Sequence, residues 1–261
     1  MKKVLYIFVL LTILASCDQV DKDDRYIPVD EVHLARKVLL QEFTGQRCVN
    51  CPEAHAVIEK LQEQYGDDLV VVSIHAGSFG VRAPFGLMNE TEGNAYADYW
   101  KVEAYPSGVV DWKGGVLSSA QWSAAIREDG RTPCNVELDI DATLSSDNKK
   151  INITSQLVAD DAVSGKLLLW VVENGIVAYQ LDADTSIPDY VHNNVFRTSV
   201  NGQWGEDIDL VNGESFRLEN SVDVVIDPEY PVNNWNVNNL FIVGFVYNEN
   251  GVAVVNRVKV N

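Results

Sequence analysis

42-EFTGQRCVNCPEAHAVIEKLQ-62 joins the end of an apolar run to a helical pattern, and two cysteines separated by two residues stand at the joint. Such a pair is a working dithiol, half of a metal site or a structural disulfide, and its surroundings bear on the choice. Upstream, residues 38–43 are mostly apolar and end at Thr44-Gly45, which reads as a short buried strand. Downstream, Ala54, Val57, Ile58, Leu61 and Tyr65 recur at spacings of three and four until Gly66, which reads as a helix and its stop. A second buried strand follows in 69-LVVVSI-74, rich in β-branched residues. Strand, helix and strand with short connections form a βαβ unit, for which a right-handed crossover is expected.

The position of the cysteines favours redox chemistry. A thiol at a helix N-terminus meets unpaired amide groups and the positive end of the helix dipole, both of which favour thiolate. Cys48 lies at the strand-to-helix turn beside Arg47, and Cys51 in the first helical turn is set to resolve a mixed disulfide. Asn50 and Glu53 have the spacing of a capping box, and Pro52 occupies an early helical position where its missing N–H costs nothing. A zinc site would need two further ligands, yet Cys134, His33, His55, His75 and His192 are scattered and no second close-spaced pair exists. No metal is therefore expected. Nor is any cofactor, since the chain has no Gly-rich phosphate loop, Gly-x-Ser-x-Gly turn or His-Glu-x-x-His helix. His55 reads as exposed on the helix, His75 as a loop anchor at the strand end, and Cys134 as a buried, inert thiol.

Further along, 76–90 is loop-like, 90–100 is expected to be helical, and 104-AYPSGVVDWKGGV-116 suggests an antiparallel hairpin, closed by a helix over 119–129. After Pro133 the texture changes. The stretches 135-NVELDID-141 and 151-INITSQL-157 alternate, as half-buried strands do. By contrast, 166-KLLLWVV-172 and 240-LFIVGFVY-247 are continuous apolar runs suited to a sheet covered on both faces. Strands without long helices suggest an antiparallel β-sandwich of immunoglobulin-like type over 133–261. His192, Arg197 and Trp204 read as residues that pin a long loop, and Asp223, Asp227 and Glu229 match no EF-hand spacing.

At the N-terminus, Lys2 and Lys3 precede an apolar run from Val4 to Leu14, too short to span a bilayer but suited to a signal peptide. It ends in Leu14-Ala15-Ser16-Cys17, which resembles a bacterial lipoprotein box. That resemblance implies cleavage after residue 16 and lipidation of Cys17, with membrane attachment through the lipid. Residues 17–34 are acidic and aperiodic, a flexible tether. The formal charge of −18, which becomes more negative when Lys2 and Lys3 are removed, argues against nucleic acid as a partner.

The strand, the CVNC turn, the helix, the second strand, Tyr105-Pro106 and the segment after it together resemble the thioredoxin family over about residues 35–132. The resemblance implies an α/β thioredoxin-like domain, a cis proline at Pro106 facing the dithiol, and a buried acid at Glu42 that relays protons to and from Cys51. The family's usual Trp before the first cysteine is Arg47 here, and Val-Asn replaces the usual Gly-Pro, so no redox potential carries over. The whole layout, with 74-IHAG-77, 192-HNNVFR-197 and 201-NGQWG-205, resembles the twenty-eight-kilodalton outer-membrane protein family of thioredoxin-like lipoproteins. It implies an outer-membrane location, on either face.

Two functions follow as expectations. In one, Cys48, Cys51, Glu42 and Pro106 carry out thiol–disulfide exchange on extracytoplasmic proteins or peptides. In the other, the chain is a surface binding or adhesion lipoprotein for envelope proteins, and the Cys48–Cys51 bond is permanent.

Overall fold

Strand β1 (Val38–Thr44) is the apolar run before the cysteine pair, and every one of its residues is buried. The computed structural model describes residues 33–261, so the signal segment, Cys17 and most of the tether lie outside the described residues. β1 pairs in parallel with β2 (Leu69–His75), in a register that sets Glu42 opposite Ser73 and Thr44 opposite His75. The crossover is helix α1 (Cys51–Tyr65), which buries Cys51, Ala54, Ile58, Leu61 and Tyr65, the stripe that a period of 3.6 produces. The other edge of β1 takes β3 (Ser107–Val110) antiparallel. In place of a regular hairpin after β3, a single bridge joins Gly108 to Leu117.

Helix α2 (Glu92–Tyr99) follows β2 in the chain, and α3 (Ser119–Asp129) follows β3. Ser118 and Gln121 form a capping box at the start of α3, whereas Asn50 makes no side-chain cap at the start of α1. The Trp122 indole of α3 packs against Gly108, where a Cβ would come within 2.6 Å of the indole nitrogen. Leu40, Ile58, Val71, Val110, Trp122 and Ile126 form the core under α1 and α3.

The remaining strands are β4 (Val136–Leu144), β5 (Lys150–Ala159), β6 (Val163–Glu173), β7 (Ile176–Asp182), β8 (Thr185–His192), β9 (Val195–Ser199), β10 (Glu206–Leu210), β11 (Ser215–Asp223), β12 (Leu240–Asn248) and β13 (Gly251–Lys259). β4, β5 and β11 form a three-stranded antiparallel sheet whose alternation puts Val136, Leu138, Ile140, Ile151 and Ile153 inside. The apolar run in β6 is buried on both faces. Leu167, Leu169 and Val171 pack toward the three-stranded sheet. Leu168, Trp170 and Val172 pack with Leu39, Phe43, Val70 and Val72 of β1 and β2.

This second packing overturns the expected fold class, an α/β thioredoxin-like domain followed by an all-β antiparallel sandwich of immunoglobulin-like type. The strands run β13-β12-β6-β9-β2-β1-β3 in one mixed, eight-stranded sheet, with β10 paired to β6. β9 meets β2 in parallel through Ser73 and Val195, and the amide of Ser73 donates to Asn194 O at 2.7 Å. The physical reason lies in β6 and β12. Their continuous apolar runs need two covers, and the first half of the chain supplies one of them. The result is β-rich, and no α/β domain stands apart from the β strands of the second half among the described residues.

Between β6 and β9 the chain makes an excursion. β7 and β8 pair only with each other, as a two-stranded flap. Gly175 and Asn194 at its two ends have φ of 74° and 57°, left-handed conformations that turn the chain out of the main sheet and back. Arg197 in β9 pairs with Glu173 in β6 at 2.7 Å and donates to Val232 O and Asn234 O, which fastens the loop before β12.

Candidate functional site

The segment after β1 bends sharply because Gly45 lies against the backbone of Phe79, where a Cβ would come within 2.4 Å of the Phe79 carbonyl. Arg47 N–H donates to Phe79 O, Cys48 N–H to Gly45 O and Cys51 N–H to Cys48 O, which shapes the turn into α1. Cys48 and Cys51 form a disulfide across this turn, with Cα atoms 5.4 Å apart. Pro106 immediately precedes β3, and Ser107 pairs with Phe43, so Pro106 stands at the same end of the sheet as the cysteine turn. The Tyr105–Pro106 peptide is cis, and the Tyr105 ring packs on Phe79.

Both cysteines are buried, Cys48 at 1% exposure and Cys51 at 0%. The cover is the β7–β8 flap. Gln180 Nε2 donates to Cys48 O at 2.9 Å and to Gly45 O at 3.3 Å. Leu181 N–H donates to Gln46 O at 2.8 Å, and Gln46 Nε2 donates to Tyr179 O at 3.1 Å. Gly45 O and Cys48 O, which already accept amides of the turn, thus take a second hydrogen bond from the flap instead of from water, and Gln46 O takes the flap amide of Leu181.

Glu42 is fully buried in β1. Its Oε2 accepts from Ser73 Oγ at 2.5 Å, the cross-strand partner that the register supplies. Its Oε1 lies 3.1 Å from His55 Nε2, an ion-pair contact when the ring is protonated. His55 sits one helical turn after Cys51, on the inward side of α1, and is not exposed as its sequence position suggested. Its Nε2 is also 3.1 Å from Thr44 Oγ1, and its Nδ1 is 2.7 Å from the hydroxyl of Tyr190 in the flap. Burial lowers the pKa of His55, but the Glu42 carboxylate and its hydrogen bond, with help from Glu59, outweigh burial and raise it above the ordinary value.

Two more histidines adjoin this group. His75 at the end of β2 and His192 at the end of β8 meet edge to face at 5.2 Å between ring centroids. Burial first, then the neighbouring imidazoles, hold both pKa values down, His75 well below its usual range and His192 at about 4. Both rings are therefore neutral at physiological pH, and neither has a hydrogen-bond partner among the described residues. His75 is thus part of a buried polar cluster and not a loop anchor. A cavity of about 40 Å³ lies among His55, Ser73, His75, Tyr190, His192 and Asn194, and exposed Glu59, Val191 and Asn193 stand at its rim.

Among the described residues, no group of three or more His, Cys, Asp or Glu side chains is arranged to hold a metal. Cys134 is a free thiol, half-buried, with its S–H directed at Val136 O and Ala253 O. Asp227 is occupied in a local turn, accepting from the amides of Glu229 and Tyr230 and from Asn233. Trp204 joins the aromatic core through Tyr96 and Trp112. Cys17 lies outside the described residues. Gln46, Gln180 and Tyr190 were not singled out in the sequence. Gln180 and Tyr190 act on the cysteine turn and on His55 from more than 130 positions away, and no local pattern marks them.

The family described as outer membrane protein Omp28 matches residues 93–261. No curated protein matches the chain. Among solved structures, HBP35 of Porphyromonas gingivalis superposes with a TM-score of 0.62 at 13% identity, covering 88% of this chain and 76% of that one. Protein AGR_C_4864 from Agrobacterium tumefaciens superposes with a TM-score of 0.50 at 14% identity, covering 85% and 94%. At such identities the likeness is one of fold. The family match covers well over half of the chain and crosses from α2 through the last strand of the main sheet, and the protein belongs to the Omp28 family of outer-membrane proteins.

Proposed function

We propose that this outer-membrane protein is anchored by a lipid at Cys17 and exchanges disulfides with extracytoplasmic proteins through Cys48 and Cys51. The observation that carries the reading is the buried Glu42 carboxylate, in the strand that leads to the cysteine turn and paired with a histidine from the helix that begins at Cys51. Burying a carboxylate is costly, and a permanent disulfide at a loop needs no such group.

In the reduced protein, the Cys48 thiolate attacks one sulfur of a substrate disulfide. The substrate S–S bond breaks, a mixed disulfide forms, and the leaving thiolate takes a proton from water. Cys51 then loses its proton to Glu42 and attacks Cys48 sulfur, which closes the protein disulfide and releases the second substrate thiolate. The protein dithiol is oxidised and the substrate disulfide reduced. The N-terminus of α1 and the exposed Arg47 favour the Cys48 thiolate, and Pro106 stands at the same end of the sheet. The outer part of the flap, with Gln180, has to move off the cysteine turn to admit a substrate, while Tyr190 near its base keeps its place on His55.

The second reading is a surface binding protein with a structural disulfide, and the burial of Cys48 beneath the flap favours it. The two are separated by assaying exchange with oxidised glutathione, with Cys134→Ser in both proteins. The first reading expects Cys48→Ser to abolish exchange. A rate unchanged by that substitution removes the proposal.

A further inference from the structure

Glu42 has no exposure to solvent, so a proton that it takes from Cys51 must leave through a side chain. The groups on its two oxygens are Ser73 and His55. Ser73 donates its hydroxyl proton and has no useful basicity, whereas an imidazole takes a proton at one nitrogen and releases one from the other. His55 reaches both sides: its Nε2 hydrogen-bonds Thr44 Oγ1 and lies 3.1 Å from Glu42 Oε1, which has no hydrogen bond of its own, and its Nδ1 is 2.7 Å from the Tyr190 hydroxyl. Tyr190 and His55 both border the cavity of about 40 Å³, above the roughly 10–15 Å³ that one water requires. Neutral His75 and His192 on its walls offer unpartnered nitrogens to such water.

We infer that His55 and Tyr190 form a proton path from Glu42 to the histidine-lined cavity, and that Tyr190, near the base of the flap, completes this path. The inference rests on the thiol–disulfide reading above. Cys51 passes its proton to Glu42 as its sulfur attacks Cys48. Glu42 passes it to His55 Nε2 while Nδ1–H is given to the Tyr190 oxygen, and the Tyr190 proton goes to cavity water. At the end Glu42 is again a carboxylate, His55 and Tyr190 are again neutral with the imidazole in its other tautomer, and the proton is on cavity water. Burial, then Glu42 and Glu59, lift the pKa of Tyr190 to about 12, so it works as a rotating hydroxyl and does not ionise. The charged or titratable groups around His55 are Glu42 from β1, Glu59 from α1, His75 from β2, and Asp182, Tyr190 and His192 from the flap. His55 acts on the sulfurs only through Glu42, which makes it a positioning and proton-carrying residue.

The path is tested in the full chain carrying Cys134→Ser, reduced and then mixed with oxidised glutathione, following closure of the protein disulfide from the mixed disulfide over pH 5–9. His55→Gln keeps a hydrogen bond and loses the proton relay. The expected result is closure slowed by about tenfold or more at neutral pH, within the range for lost acid–base assistance, with the pH profile of closure altered. Tyr190→Phe removes one hydroxyl and is expected to slow closure by a smaller factor, and it decides the matter where His55→Gln does not fold. Closure at the parent rate and with the parent pH profile in a folded variant overturns the path and leaves the exchange reading intact. A parent protein that forms no mixed disulfide overturns both.

Discussion

Around β6, β9 and β12, the main sheet is sealed by Tyr96, Trp112, Trp170, Phe196 and Phe245, with Trp170 Nε1 donating to the Tyr96 hydroxyl and that hydroxyl donating to Gln203 O. Around the C-terminal ends of β1 and β2, an interior equally closed to water holds Glu42, Ser73, His75 and, from the flap, Gln180 and His192. The first region gains from burial at every side chain, since aromatic rings in tilted and edge-to-face contact bring both apolar area and favourable quadrupole geometry. The second pays desolvation for imidazoles whose nitrogens find no protein partner. The aromatic region holds the two halves of the chain together, and the polar region is where the proposed chemistry lies.

The largest expected effect lies at the aromatic end. Trp170→Ala removes a fully buried indole shared by both halves and is expected to cost about 3–5 kcal/mol in urea unfolding. Against a total stability of about 5–15 kcal/mol, that leaves a marginal fold. A loss under about 1 kcal/mol would mean that the shared core does not bind the halves.

Acidification is expected to act at the polar end. The pKa of His192 is depressed in the folded state to about 4, below the ordinary 6.5, so the unfolded chain binds its proton first as pH falls. Its contribution is complete above pH 6.5 and is lost as the pH falls through the window down to about 4, by up to about 3 kcal/mol. His75 acts in the same direction, and His55, whose pKa is raised, acts in the opposite one. Unfolding of the parent and of His192→Gln at pH 7, 5.5 and 4 isolates the contribution, and parallel pH profiles would contradict it. The smallest effect concerns the flap. Gln180→Ala removes hydrogen bonds to Cys48 O and Gly45 O and is expected to favour opening by about 1 kcal/mol, raising alkylation of reduced Cys48 roughly fivefold. An unchanged alkylation rate would show that the flap does not control access.

The difference between the regions also tracks what the sequence discloses. β1, α1 and β2 are legible because apolar runs and a 3.6 period are local signals, and the two-faced burial of β6 is legible from its unbroken apolar run. Which partner covers the second face of β6 is a long-range matter, and an independent sandwich satisfies the same pattern. Glu42 and the cysteine pair stand out through their spacing to the helix start. His55 was within reach, because it lies four residues after the buried Cys51 and therefore on the same face. The flap was not. In 176-IVAYQLDADTSIPDYVH-192 nothing distinguishes a hairpin at a sheet edge from one folded over a turn more than 130 residues earlier.

In the proposed function Cys48 and Cys51 cycle between dithiol and disulfide. Its most direct test is the midpoint potential of the pair in the full-length protein with Cys134→Ser, equilibrated in graded thiol buffers and trapped by alkylation. A cycling pair is expected to have a midpoint between about −120 and −270 mV, the span of known oxidants, isomerases and reductants. A midpoint below about −300 mV is that of a structural disulfide, and the protein would then be a binding protein of the outer membrane instead of an oxidoreductase.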